Sequence, residues 1–244
     1  MKSNRILLLV SPRNIEEALE VINSNADFID CKNPSEGSLG ANTPKMIQSM
    51  KSIIPKNSNK LLSATIGDFP NLPCSAALAA LGASYSGADV IKVGIMGPNN
   101  LQKAILLMKS VVDAVKNYDK RILVVAAGYA DQKRINTSLD PMLIPEVATR
   151  AGCDIAMLDT AIKDGKGLFD FLSIKSLIEF KNNAKKKRLS VALAGNLKMK
   201  DIENIKKIKP DIIGVRSVVC TNNDRNNGSI KKELIEKLWK KLNY

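Results

Sequence analysis

The sequence predicts an α/β fold, a single-domain (β/α)8 TIM barrel over residues 1–244, and three observations carry that expectation. Eight short apolar runs alternate with eight amphipathic stretches. One repeat takes about 30 residues, the size of a βα unit, and eight such units close into a barrel of about 250 residues. No Pro/Gly/Ser-rich linker or composition break divides the 244 residues, and a chain of that length buries a large core as one unit. A doubly wound open sheet would share the alternation. It would also need a glycine fingerprint after the first strand, where Val10-Ser11-Pro12-Arg13 supplies none.

The elements follow in order. ILLLV at 6–10 is the first strand, and the helix at 14–24 starts on Asn14 with Glu17 three residues on, a capped beginning. FIDC at 28–31 leads to the helix at 44–54, and LLSAT at 61–65 to the helix at 75–86. VIKV at 90–93 precedes 101–117, and ILVVA at 122–126 precedes 144–150. The last three pairs are IAML at 155–158 with 171–183, SVALA at 190–194 with 200–207, and IIGV at 212–215 with 231–242. Runs this short and this rich in Val, Ile, Leu and Ala suit strands buried on both faces.

Composition narrows the chemistry. The chain has no histidine, which excludes Ser-His-Asp and Cys-His machinery, the HExxH zinc site and any histidine metal cage. Proton transfer then falls to Lys, Asp, Glu, Tyr or Cys. The net charge of +13 comes from 29 Lys against 8 Arg, with 4% aromatics, whereas nucleic-acid binders lean on Arg and on stacking rings. The basic runs 181–188 and 198–209 alternate with apolar helix positions and read as solvated faces, so no nucleic-acid partner is expected. The same field would draw in small anions such as phosphates. Cys31, Cys74, Cys153 and Cys220 are scattered without a CxxC pair, which suits reduced thiols in a cytoplasmic protein. The first residues lack a signal-peptide pattern, and no run approaches the ~20 apolar residues of a membrane span. A homo-oligomer is compatible with the sequence.

In a barrel of this kind function sits at the C-terminal strand ends, and charged residues collect there. Lys92 lies inside an apolar strand, where an ammonium is costly to bury unless its pKa falls or a carboxylate meets it. A Lys–Asp pair linking two layers is the plainer account of it. Asp30 and Lys32 share one strand face by alternation, and a rim salt bridge is the plainer account there. Two lysines at nearby strand mouths suggest a Schiff-base site, since a desolvated amine becomes nucleophilic toward an aldehyde or ketone. The neighbouring base could be Lys92, Asp159 or Tyr129, although Asp159 could also cap the next helix or pair with Lys163. Strand 7 ends in Gly195-Asn196 and strand 8 in Gly214-Val215-Arg216. Loops at those two positions bind phosphate in many barrels, and Arg216 could add a forked contact. The polar loop 222–228 is either a cover for the substrate or an ordinary surface loop. A basic nucleic-acid-binding protein and a phosphosugar aldolase or decarboxylase are the rival readings.

The strings IDCKNPSEGSLGAN, LLSATIGDFP, LAALGASYSGADVIKVG, VVAAGYAD, AGCDIAMLDTAIKDGKGLFDF, ALAGNLK, GVRSVVC and DRNNG together resemble the (5-formylfuran-3-yl)methyl phosphate synthase family of methanofuran biosynthesis. The likeness runs from Ile6 to the last helix. It implies a lyase that condenses two molecules of glyceraldehyde 3-phosphate to a phosphorylated furan aldehyde, releasing phosphate and water, a reaction for which no cofactor and no metal are expected. It implies Lys32 as the Schiff-base residue, Lys92 as a proton acceptor, and Asp159 and Lys163 as further active-site residues. The tail is more lysine-rich than the family pattern and residues 1–4 look like an extension; neither touches these motifs.

Overall fold

The computed structural model describes residues 5–135 and 139–244, and eight parallel strands close into one barrel in chain order. They are β1 (Leu7–Val10), β2 (Phe28–Cys31), β3 (Leu61–Phe69), β4 (Val90–Ile95), β5 (Leu123–Tyr129), β6 (Ile155–Asp159), β7 (Ser190–Leu193) and β8 (Ile212–Val215). β8 pairs back onto β1 along its whole length. The outer layer holds α1 (Ile15–Ile22), α2 (Pro44–Ser52), α3 (Pro73–Tyr85), α4 (Leu101–Tyr118), α5 (Ile144–Ala151), α6 (Leu168–Phe171), α7 (Ile174–Lys186), α8 (Ile202–Ile208) and α9 (Lys232–Asn243). Among the described residues no helix is long and apolar enough to cross a membrane. The suggested extension at residues 1–4 lies outside the described residues.

Every expected strand and helix is present, and the differences have local causes. Asn14 caps α1 by accepting the Glu17 backbone N–H at 2.9 Å. β3 runs four residues past its apolar segment, across a register shift between Thr65 and Asp68 where Gly67 takes φ +124°. That irregularity lets the strand continue as a lip above the barrel. The apolar stretch beginning at Phe171 divides, because Ser173 caps a fresh helix start through the Ser176 N–H at 3.1 Å.

A fourfold repeat organises the barrel. Asp27, Asp89, Asp154 and Asp211 each stand one residue before an even-numbered strand. Each carboxylate accepts the N–H of the second residue of the preceding odd strand: Leu8 at 2.8 Å, Leu62 at 2.8 Å, Val124 at 2.8 Å and Val191 at 2.7 Å. Each also meets a cation, respectively Arg5, Lys51, Lys116 and Lys185. Their backbone carbonyls accept from Leu61, Leu123, Ser190 and Leu7, the first residues of the next odd strands. The ring lies at the N-terminal face, which stabilises such barrels while the opposite face carries chemistry.

Counting inward from each aspartate gives the interior its layers, because alternate strand residues face the axis. One residue on come Phe28, Val90, Ile155 and Ile212, which form an apolar floor with Leu7, Leu9 and Val125. Three residues on come Asp30, Lys92, Met157 and Gly214. Five on come Lys32, Gly94, Asp159 and Arg216. Charge therefore enters only above a closed apolar floor.

Candidate active site

Asp30, Lys32, Lys92, Asp159, Lys163, Gly195, Asn196, Gly214 and Arg216, all singled out from sequence, line one cavity at the C-terminal mouth. Two ion pairs structure it. Lys92 Nζ lies 2.7 Å from Asp30 Oδ1, both side chains nearly inaccessible, and Ser11 Oγ donates to Asp30 Oδ2 at 2.8 Å. Lys163 Nζ donates to Asp159 Oδ1 at 2.8 Å, and the Thr160 N–H donates to the same oxygen at 2.7 Å. Burial pushes the Asp159 pKa up, but Lys163 and Lys32 outweigh it, so the net displacement is downward. The Asp159–Lys163 pair is thus seen as geometry, and so is a Lys–Asp pair at Lys92, although Asp30 and Lys92 lie in one layer of the barrel interior rather than linking two; both pairs sit inside the cavity.

Lys32 stands apart from these pairs. It is 9% exposed, and among the described residues its amine has no ion pair or hydrogen bond within contact distance. Burial lowers its pKa to about 8, with Lys163 and Lys92 adding to the fall and Asp159 and Asp30 opposing it. Its loop is tied down on both sides. Thr65 Oγ1 donates to the Gly40 carbonyl at 2.6 Å, and Ser38 Oγ donates to the Thr160 carbonyl at 2.8 Å. The result is an unpaired, desolvated amine at the cavity wall on a fixed backbone.

Two expectations need revising. Tyr129 is not available as a base: it is buried and does not line the cavity, its hydroxyl donates to Asp68. Burial and the neighbouring Asp68 carboxylate raise its pKa well above the ordinary tyrosine value. Arg216 lines the cavity, but most of its donors face elsewhere. Nη1 donates to Glu17 Oε2 at 2.8 Å and to the Ser11 carbonyl at 2.7 Å, Nη2 to Glu17 Oε1 at 3.1 Å, and Nε to the Arg225 carbonyl at 3.2 Å. Four of its five N–H groups are engaged in this way, so little of a phosphate fork is left. Burial raises the Glu17 pKa, yet Arg216 and the Arg13 N–H bring it below the ordinary value.

Four contributors escaped the sequence reading. Asp68, on the β3 lip, accepts the Tyr129 hydroxyl and the Leu39 N–H at 3.2 Å, joining the Lys32 loop to β5. Gly94 makes room for that contact, since a Cβ there would lie 2.1 Å from Tyr129 Oη and 2.5 Å from Asp68 Oδ1. Glu17 was read only as a capping partner. Arg225 was read only as part of a polar loop, yet it lines the cavity. Gly195 takes φ +101° and Asn196 φ +47°, a left-handed turn after β7 in the wall of the cavity.

A protein-family model described as 4-HFC-P synthase matches residues 8–239. The (5-formylfuran-3-yl)methyl phosphate synthase of Methanocaldococcus jannaschii is 52% identical over 233 residues, covering 96% of this chain and 98% of that protein. The protein of the same name from Archaeoglobus fulgidus is 51% identical over 231 residues, covering 95% and 97%. Among solved structures, 3-hexulose-6-phosphate synthase from Salmonella typhimurium superposes with a TM-score of 0.65 at 15% identity, covering 97% of this chain and 100% of that one. Phosphoribosyl anthranilate isomerase from Thermotoga maritima gives 0.62 at 17% identity, with 97% and 98% covered. Likeness at that identity speaks for the barrel alone.

Proposed function

The chain belongs to the 4-HFC-P synthase family, an enzyme family, and from that premise we propose that it condenses two molecules of glyceraldehyde 3-phosphate through a Lys32 Schiff base. The product is (5-formylfuran-3-yl)methyl phosphate, destined for a methanofuran-type cofactor. The single observation that carries the mechanism is the unpaired Lys32 amine, with a pKa of about 8, on the wall of a cavity of paired charges.

The steps follow from the residues. One glyceraldehyde 3-phosphate is first isomerised to its ketone form by a net proton shift from C2 to C1, and the ketone condenses with the neutral Lys32 amine and loses water. The iminium withdraws electrons and makes the adjacent carbon acidic, so no other electron sink is required for that step. Asp159, or Lys92 once its own proton has passed to Asp30, takes the proton, and the enamine attacks the aldehyde carbon of the second triose. Asp30 holds Lys92 in place and Lys163 holds Asp159. Elimination, ring closure and dehydration then give the furan. Two trioses of formula C3H7O6P, less one H3PO4 and two H2O, leave C6H7O6P, so the sequence closes without net oxidation or reduction. Aromaticity of the furan drives it forward.

Incubation with glyceraldehyde 3-phosphate alone tests the reading. Furan absorbance and inorganic phosphate are expected to rise together in equal amounts; their absence overturns it. Borohydride reduction in the presence of substrate is expected to leave an adduct on Lys32. An adduct only on Lys92 or Lys163 would reassign the nucleophile.

A further inference from the structure

Each triose phosphate brings a phosphate dianion, and the guanidinium expected to hold one from sequence, Arg216, is largely occupied by Glu17 and two carbonyls. Arg225 is placed differently. Its backbone carbonyl is fixed by Arg216, while its guanidinium has no carboxylate or carbonyl partner among the described residues and is partly buried. It lines the central cavity and also a second one that adjoins it, walled by the loops after β6, β7 and β8. That annex carries Lys163, Lys166 and Lys198 besides Arg225, and its two carboxylates already have partners. Asp164 pairs with Arg134 at 2.5 Å. Asp224 accepts the N–H groups of Asn226 and Asn227 at 2.8 and 3.1 Å within its own loop. Arg13 braces that loop from the opposite side, donating to the Asn226 and Gly228 carbonyls.

We propose that this annex is a phosphate-monoester subsite, with Arg225 as the fork that grips the phosphate and Arg216–Glu17 as the strut that positions it. A planar guanidinium matches two phosphate oxygens at once. Lys166 and Lys198 add charge at the outer rim, and Lys163 sits at the junction with the reacting centre. A phosphate held in the annex places the carbon end of its triose over the cavity that contains Lys32. The proposal deepens the triose-phosphate reading and rests on it.

Arg225→Gln and Arg225→Lys test it in the full-length protein, with inorganic phosphate and glyceraldehyde 3-phosphate as the titrated probes. Arg225→Gln is expected to raise the Kd for inorganic phosphate and the KM for the triose phosphate at least about tenfold, a loss suited to one charged hydrogen-bonding contact. Arg225→Lys should recover only part, because an ammonium cannot fork. Thermal midpoint should be unchanged, and borohydride trapping of unphosphorylated glyceraldehyde on Lys32 should match the wild type, since that probe has no phosphate to hold. The proposal is overturned if Arg225→Gln binds phosphate as the wild type does, if the wild type does not bind phosphate, or if trapping of glyceraldehyde falls in parallel. If phosphate affinity drops as expected while no furan forms in the wild type, the annex stands and the synthase reading falls.

Discussion

The proposed mechanism turns on the protonation of Lys32 at neutral pH. An amine with a pKa of about 8 is neutral in about a tenth of molecules at pH 7, against about one in three thousand for an ordinary lysine. The kcat/KM should therefore climb with pH through about 8 and level off above it, as initial rates at subsaturating substrate between pH 6 and 9 would show; a flat profile would remove Lys32 as the titrating nucleophile. The same displacement acts on stability. The unfolded chain holds the Lys32 proton up to about 10.5, the folded chain only up to about 8, so stability rises between those values. Below 8 the full penalty is present, about 3 kcal/mol by the shift alone. Lys32→Met should abolish turnover and raise the denaturant midpoint at pH 7, whereas a lower midpoint would show that the amine is held by contacts. Lys32 and Lys92 were legible in the sequence because a cation beside an apolar strand demands a reason. Asp68 and Arg225 were not, since both lie beyond the apolar runs, on a lip and a loop where no periodicity marks a residue as inward.

The aspartates before β2, β4, β6 and β8 join neighbouring strands. Each secures the start of an odd strand through a charged hydrogen bond, and removing one leaves a strand N–H without its acceptor. Asp89→Ala should destabilise the protein by about 2 kcal/mol, visible in the denaturant midpoint, while KM and kcat at the far end of the barrel stay as they are. Loss of activity in step with stability would mean that the two faces are coupled. Element types and order were readable because buried parallel strands and amphipathic helices have different periods. The lip of β3 was not, because Gly67 reads as a terminator when it in fact supports an irregularity that continues the strand. The repeat itself was present in the text as ADF, ADV, CDI and PDI. Its meaning depends on hydrogen bonds between neighbouring strands, which a one-dimensional pattern does not display.

Charge sets the behaviour of the whole molecule. With +13 overall and a basic mouth, kcat/KM for a dianionic triose should fall as salt rises while kcat changes little. The Lys-rich end of α7 plays no part in that: Lys185 pairs with Asp211 and Lys187 with Glu146 on the outer surface. Replacing Lys185, Lys186 and Lys187 with Gln should leave turnover intact, and salt-sensitive nucleic-acid binding that this replacement abolishes would reopen the nucleic-acid reading of that cluster. The same charge restricts how two copies can meet, because like-charged faces repel. Helix α3 is the exception: its thirteen residues include no Asp, Glu, Lys or Arg. Leu78, Leu81 and Tyr85 project to solvent at 72%, 38% and 75% exposure on one helical face, and Tyr85 contacts Tyr118 of α4 with ring centroids 6.3 Å apart. A second copy presenting the same uncharged face can approach there without opposing lysines, and burial of these side chains would favour it. Sedimentation at rising protein concentration should show a dimer that strengthens with salt, as screening weakens the remaining repulsion. Leu78→Lys should return it to monomer with turnover preserved, since α3 lies outside the barrel mouth. A wild-type monomer at every concentration, or a Leu78→Lys dimer of undiminished strength, would rule this face out.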